Sequence, residues 1–424
     1  METITFGIRQ NWKQISLLVF ITAFLGSMVG MERSLLPQLA EKVFGIGSKT
    51  AMFSFIVAFG LSKAFSNYYA GFFANKWGRK KLLVAGWLFA LPIPWILAYA
   101  PSWNWIIGAN ILLGLNQGLA WSSTQVMKLD LVKEKDRGTA MGLNEFAGYF
   151  AVGGITFLVA YIASAYGLRP YPFFLGAVFS ALGLTGSLLF VKDTRTHMSA
   201  AAQAAGRESS IKSIFWGPSL TSRNLGAVTL GGLVNNLNDG MMWGLYPLLL
   251  AAKGFSMAEV GALTAIYPAC WGLGQLFTGR LGDAVAKKRL LFWGLALQAI
   301  TIITLATASA FFHFAILSVA LGLGKALVYP NFLAAVAENS HPRQRAQNIG
   351  TFRFWRDSGY AIGAVLTGVL ADAFTINIAI VLVGGITLIS ALTIQVRMRI
   401  AKAEDSHNEV FKVEESVSVS SMAS

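Results

Sequence analysis

Residues 71–81 read Gly71-Phe72-Phe73-Ala74-Asn75-Lys76-Trp77-Gly78-Arg79-Lys80-Lys81, and residues 279–289 read Gly279-Arg280-Leu281-Gly282-Asp283-Ala284-Val285-Ala286-Lys287-Lys288-Arg289. Each stretch is a short basic connection between two apolar runs of about 20 residues, the length an α-helix needs to cross a bilayer. The two stand 208 positions apart, and Gly114, Arg137 and Gly142 recur at the same separation as Gly322, Arg345 and Gly350. Four landmarks in one register mark an internal duplication. In a membrane protein, a duplication of this kind places the binding site at the interface of the halves, near mid-membrane.

The wider composition agrees with a membrane chain. Its 424 residues are 55% hydrophobic and only 13% charged, about half the roughly 25% usual in soluble domains. Mean hydropathy is +0.57. Only helices and closed barrels satisfy every backbone group inside hydrocarbon, and the apolar runs lack the strict alternation of barrel strands, so they read as helices. The expected spans lie near 15–36, 50–74, 82–100, 104–128, 139–162 and 172–191, then 223–251, 256–280, 290–310, 312–336, 346–372 and 375–396. The expected fold is therefore an all-α membrane protein with twelve transmembrane helices in two pseudo-repeated six-helix halves. Residues 1–191 form the first half, 192–222 a cytoplasmic linker, 223–396 the second half and 397–424 a disordered tail rich in Ser, Val and Glu.

The net charge of +14 is not a nucleic-acid footprint, because the basic residues fall in clusters between apolar runs. One side collects Lys76, Arg79, Lys80, Lys81, Lys133, Lys135, Arg137, Lys287, Lys288, Arg289, Arg343 and Arg397, while the other holds only Lys42, Lys49, Arg169 and Lys253. By the positive-inside rule both termini face the cytoplasm, in a multi-pass protein of the cell (inner or plasma) membrane. The single cysteine, Cys270, forms no internal disulfide, and the first apolar run lacks a cleavage site and reads as a retained span. Gly45-Ile46-Gly47-Ser48-Lys49-Thr50 lacks the Gly-Lys-Ser/Thr order of a phosphate-binding loop, which argues against an ATP-driven pump. No hydrolytic triad or zinc site is legible, so the chain is not expected to be an enzyme, nor to hold a metal or cofactor. Expected partners are a small-molecule or ion substrate and membrane lipids, with the protein as a monomer.

The stretch at 71–81 resembles the signature loop of the major facilitator superfamily, a Gly, an acid four residues on, then Gly-Arg-Lys/Arg. The copy at 279–289 is worn differently. Asn75 replaces the acid in the first, and Ala286 and Lys287 replace Gly and Arg in the second. In that family the loop latches the cytoplasmic side, which implies gating roles for Asn75, Arg79, Asp130, Arg137, Asp283, Glu338 and Arg345. Two departures weigh against drug/proton antiport. Asn110 precedes Gly114 and Gly118 where such members carry an Arg, and Tyr149-Phe150-Ala151-Val152-Gly153-Gly154 replaces their Gly-Pro-x-x-Gly-Gly.

Charges inside spans are costly and mark function or paired structure. Here they fall on the spans that line the cavity in the family the chain resembles. Arg33, Lys63, Lys325, Arg356, Asn235 and Asn238 are the candidate substrate-binding groups. Glu32, Asp239 and Asp357 are the candidate proton carriers, and Glu145 and Arg353, also 208 positions apart, the candidate gate pair. Phe59-Gly60-Leu61-Ser62-Lys63 resembles a span-two lysine motif of organophosphate/phosphate antiporters. Arg356 and Asp357, adjacent on a helix, are expected to point about 100° apart, Arg356 inward and Asp357 sideways. The leading expectation is a secondary transporter that moves a small polar anion by alternating access, with the carboxylates carrying protons. Metal-ion efflux through Met28, Met31, Glu32, Asp239, Met241 and Met242 stays open, as do drug efflux and a non-transporting sensor or assembly protein. The plain alternative for any one charge is an ion pair that holds the halves together.

Overall fold

Hydroxyl side chains stand ahead of several helix starts and take up a backbone N–H that no helical carbonyl reaches. Ser222 accepts from Leu225 N, Thr375 accepts from Ile378 N, and Ser256 forms a reciprocal capping box with Glu259. The computed structural model describes residues 6–133, 136–194, 215–216, 219, 221–340 and 344–399, without the side chains at 71, 72, 75, 280, 283, 345 and 346. The side-chain expectations for Asn75, Asp283 and Arg345, most of the linker and the tail beyond 399 thus lie outside the described residues.

Among the described residues the helices form twelve rods. The first six are α1 (Trp12–Arg33, continued by Leu36–Lys42), α2 (Ser54–Trp77), α3 (Arg79–Ala90, continued by Ile93–Tyr99), α4 (Trp103–Asn116, a π-helical turn Gln117–Trp121, then Ser122–Leu131), α5 (Arg137–Tyr166) and α6 (Tyr171–Leu189). The second six are α7 (Arg223–Ala252), α8 (Met257–Ala284), α9 (Lys287–Leu305), α10 (Phe311–Glu338), α11 (Arg345–Ala373) and α12 (Ile376–Arg397). Eight are long and apolar enough to cross a membrane by length and composition. The other four, α2, α4, α7 and α11, carry much of the internal polarity, including Lys63, the Gln117–Lys128 stretch, Asn235 to Asp239 and Arg353 to Asp357.

Packing repeats between the halves. In the first, α1 packs on α5 and α6, and α2 on α4, while α3 packs on α4 and α6. In the second, α7 packs on α11 and α12, and α8 on α10, while α9 packs on α10 and α12. The halves meet along two seams, α5 against α8 and α2 against α11, which the same pseudo-symmetry exchanges. The α5/α8 seam depends on small residues: a Cβ on Gly272 would lie 2.6 Å from the backbone nitrogen of Phe150. Gly78, at φ +89°, makes the sharp turn from α2 into α3 that a residue with a Cβ rarely adopts.

One end of the bundle collects Arg79, Lys80, Lys81, Lys133, Arg137, Lys287, Lys288, Arg289 and Arg397 and is called the basic end below. Large apolar side chains, among them Phe20, Tyr161, Leu189, Phe277, Trp293 and Ile389, are exposed around the bundle. A soluble protein would not leave so many outward, and a hydrocarbon solvent explains them.

Candidate functional site

The charges legible in the sequence stack in tiers between the halves. Nearest the end opposite the basic one, Arg33 of α1 is 3% exposed. Its guanidinium carbon lies 3.4 Å from the centre of the Trp243 ring on α7 and 5.1 Å from that of Phe59 on α2. None of its three nitrogens meets a hydrogen-bond acceptor among the described residues, and neighbouring Glu32 is fully buried beside Arg33 and the Asn110 amide. Arg33, Thr156, Trp243, Thr264 and Tyr267 border a cavity of ≈ 10 Å³, room for about one water.

One tier further, Asp239 of α7 and Lys325 of α10 form an ion pair at 2.8 Å, both side chains 0% exposed. Asp239 Oδ1 also accepts from Tyr267 Oη at 3.2 Å, and Tyr267 in turn accepts from Trp243 Nε1 at 2.7 Å. Asp239 Oδ2 has no partner among the described residues, while Lys325 Nζ donates additionally to the Asn235 carbonyl at 2.5 Å. An unbroken contact chain therefore runs from Arg33 through Trp243 and Tyr267 to Asp239. Lys63 of α2 is half-buried, with its ammonium 5.1 Å from the Tyr360 ring and 5.3 Å from Phe59. Trp243 and Tyr360 stack at 4.6 Å. The second half thus presents aromatic faces to cations of the first.

The third tier corrects the sequence reading of Arg356 and Asp357. The expected divergence does not occur, because the long arginine folds back. Arg356 Nε and Nη2 both donate to Asp357, at 2.9 and 3.1 Å. Asp357 also accepts from Asn67 at 2.5 Å and Asn236 at 3.3 Å, and Ser122 donates to Asn67. A carboxylate with four donors across both halves is a seam tie, and Arg356 is spent mainly on it. Asn238 requires a second correction. It donates to Gln298 of α9 and accepts from Thr387 of α12, so it faces the interior of the second half and joins none of the others. Asn235 contributes through its backbone carbonyl.

Toward the basic end, Glu145 Oε1 accepts from Gln125 at 2.6 Å and from Asn144 at 2.7 Å, and Arg353 crosses the seam to Gln125 Oε1 at 3.2 Å. Beside them Lys128 of α4, fully buried, donates to Thr22 and to Asn144 at 2.8 and 2.5 Å. Between the tiers the Tyr149 and Trp271 rings stack across the seam at 3.5 Å. Of the remaining gating candidates, Arg79 pairs with Asp130 at 3.0 Å within the first half and Glu338 with Lys287 at 2.8 Å within the second. Arg137 opens α5.

At the opposite end, Asp372 of α11 accepts from Lys49 N, Thr50 N and Ser48 Oγ at 2.6, 2.9 and 2.7 Å. Contacts thus join the halves at both ends, so the conformation is occluded. Met31 packs against α6: a Cβ on Gly176 would lie 2.6 Å from its sulfur. That side chain is therefore turned away from Asp239 and unavailable to the thioether site considered above. Sequence reasoning missed Lys128, Asn67, Asp372 and the aromatic partners Trp243, Tyr267, Trp271 and Tyr360.

The family model described as the Major Facilitator Superfamily matches residues 15–227 and 228–421. The chain is 24% identical over 376 residues to the proton-coupled antiporter flippase LtaA of Staphylococcus haemolyticus (strain JCSC1435), a match that covers 86% of this chain and 88% of that protein. It is 27% identical over 148 residues to the inner membrane transport protein YnfM of Escherichia coli (strain K12), where the match spans 35% of this chain and only 36% of the relative's length. A solved POT family transporter in complex with a thioalcohol conjugated peptide superposes with a TM-score of 0.71 at 14% identity, over 91% of this chain and 96% of that one.

Proposed function

We propose, from the premise that this chain belongs to the Major Facilitator Superfamily, that it is a proton-linked secondary transporter of a small organic anion. The observation that carries this reading is Arg33. It is a buried cation between the halves, stacked on Trp243, with no acceptor for its nitrogens. Such a group is costly in a bilayer unless a partner arrives. A carboxylate or phosphate is that partner, because the guanidinium fork grips either through two parallel hydrogen bonds. Lys63, half-buried and also without an ion pair among the described residues, adds a second counter-charge.

Asp239 supplies the proton linkage. Its Oδ1 is committed to Lys325 and Tyr267, and its Oδ2 stands bare in the interior. A proton taken on Oδ2 weakens the pair with Lys325, which keeps the Asn235 carbonyl as acceptor. Protonation on one side and release on the other, timed by the anion at Arg33, couples the two movements. The similarity to a proton-coupled antiporter supports this reading. The basic end is assigned to the cytoplasm by the positive-inside rule, and a reporter fused at Asn104 is expected to read as external.

The deciding experiment measures thermal stabilisation of the purified protein by organic anions, neutral sugars, cationic drugs and divalent metals. Stabilisation by anions that disappears in Arg33→Gln supports the reading. Stabilisation by cations alone refutes it.

A further inference from the structure

One face of α8 carries a ladder of polar groups. Thr264, Tyr267, Trp271, Gln275 and Thr278 follow the i, i+3, i+4 spacing of a single helix face. The upper rungs belong to the site already described. The lower three are unexplained: Trp271 Nε1, both the nitrogen and the oxygen of the Gln275 amide, and Thr278 Oγ1 are buried without a hydrogen-bond partner among the described residues. Leaving such groups dry is expensive, and three in succession on one face point to a shared ligand.

Gln275 is 1% exposed and borders a crevice of ≈ 170 Å³ between α5 and α8 at the basic end, with Thr139 at its mouth and Gly138, Gly142 and Gly279 along its walls. This is room for several waters. The amide offers donors and an acceptor together, which fits water better than a simple anion or cation.

We propose that this crevice is a water-binding port which brings protons from the basic end to Asp239, with Gln275 as its inner anchor and Trp271 as its shutter. The inference rests on the proton-linked reading above. Along α8, Trp271 stands one turn from Gln275 and one turn from Tyr267, which is bonded to Asp239. Its ring stacks on Tyr149 at 3.5 Å and carries the Lys325 ammonium 5.4 Å from its centre. When the halves part at the basic end, the Tyr149–Trp271 stack breaks because the two rings belong to different halves. Water anchored on Gln275 then reaches Asp239. A hydrated proton passes along the waters and forms an O–H bond at Oδ2, and water is left behind. The groups that face Asp239 from the surrounding helices are Arg33 of α1, Tyr149 of α5, Tyr267 of α8, Lys325 of α10 and Tyr360 of α11. Tyr267 and Lys325 sit on Oδ1 and leave Oδ2 as the proton site.

The test uses the full-length protein in liposomes that trap a pH-sensitive dye, with an inward-driving potassium diffusion potential. Trp271→Ala is expected to admit protons several-fold faster than the parent protein, and Trp271→Ala/Gln275→Leu to return to the parent rate. A leak that survives Gln275→Leu overturns the port, as does no leak in a folded Trp271→Ala protein. If the leak depends on Gln275 but persists in Trp271→Ala/Asp239→Asn, the port stands and the role of Asp239 falls. A second measurement needs no shutter variant. Radiolytic hydroxyl labelling is expected to oxidise Trp271 in the parent protein and to oxidise it several-fold less in Gln275→Leu. Equal labelling in both overturns the proposal.

Discussion

The Asp239–Lys325 pair allows the most demanding test of the site. Lys325→Met removes an ammonium whose carboxylate partner is 0% exposed and retains only Tyr267 on Oδ1. Truncating one member of a buried pair costs about 3–5 kcal/mol, because the other charge is left uncompensated. Asp239→Asn costs less, since Lys325 keeps the Asn235 carbonyl and the new amide can still accept from Tyr267. The double variant Asp239→Asn/Lys325→Met buries no charge at this position and should be less destabilised than Lys325→Met alone. The expected coupling energy is about 1–3 kcal/mol, the upper range for contacting residues. The assay is denaturant unfolding in mixed micelles, followed by tryptophan fluorescence, for all four proteins. Additivity within about 0.5 kcal/mol would show that the two charges do not interact, and the site as described would fail.

Asp239→Asn should abolish accumulation against a gradient while leaving anion exchange partly intact, so full accumulation by that variant removes Asp239 from the coupling role. Arg33→Gln should weaken anion binding about ten- to a hundred-fold, the worth of one charge-assisted contact. Arg33→Lys should recover only part of the loss, because an ammonium keeps the charge without the planar fork. Affinity and melting temperature measured on one preparation separate binding from folding. Asp372→Asn should loosen the end opposite the basic one. In a Cys270→Ser background, a cysteine at the buried Met52 should then react faster with an impermeant maleimide, and unchanged reactivity counts against the latch.

The fold was largely legible because hydrocarbon imposes a single demand, about 20 mostly apolar residues per span, which eight of the twelve helices meet outright, with basic residues gathered at one end. The 208-residue repeat then predicted two matching halves, and the two halves do pack by matching rules. The site was legible only in its charges. Lys128 lies five residues before Lys133 and reads as part of a basic loop, yet Thr22 and Asn144 draw it inside. The π-helical turn at Gln117–Trp121 adds to the difficulty, since one extra residue per turn shifts the later faces of α4 away from the ideal helical register. Trp243, Tyr267, Trp271 and Tyr360 look like ordinary apolar packing in a membrane sequence, and only tertiary structure shows which of them face a cation. Asn238 and Asp239 were both given to the site, although the helix turns them to different neighbours. Arg356 and Asp357 erred in the other direction, because a long side chain can bend back where helix geometry alone separates the two.

The imbalance of charge in the core has an electrical consequence. Among the described residues of the tiers, the cations Arg33, Lys63, Lys128, Lys325, Arg353 and Arg356 outnumber the carboxylates Glu32, Glu145, Asp239 and Asp357. With every one of these groups ionised, this core holds a surplus of positive charge. An anion bound at Arg33 would lower that surplus, and a proton on Asp239 would raise it. Each elementary charge moved through 100 mV is worth about 2.3 kcal/mol. The transmembrane voltage would accordingly act unequally on the loaded and the unloaded carrier. Turnover would then follow voltage most steeply when the more highly charged of the two steps sets the pace.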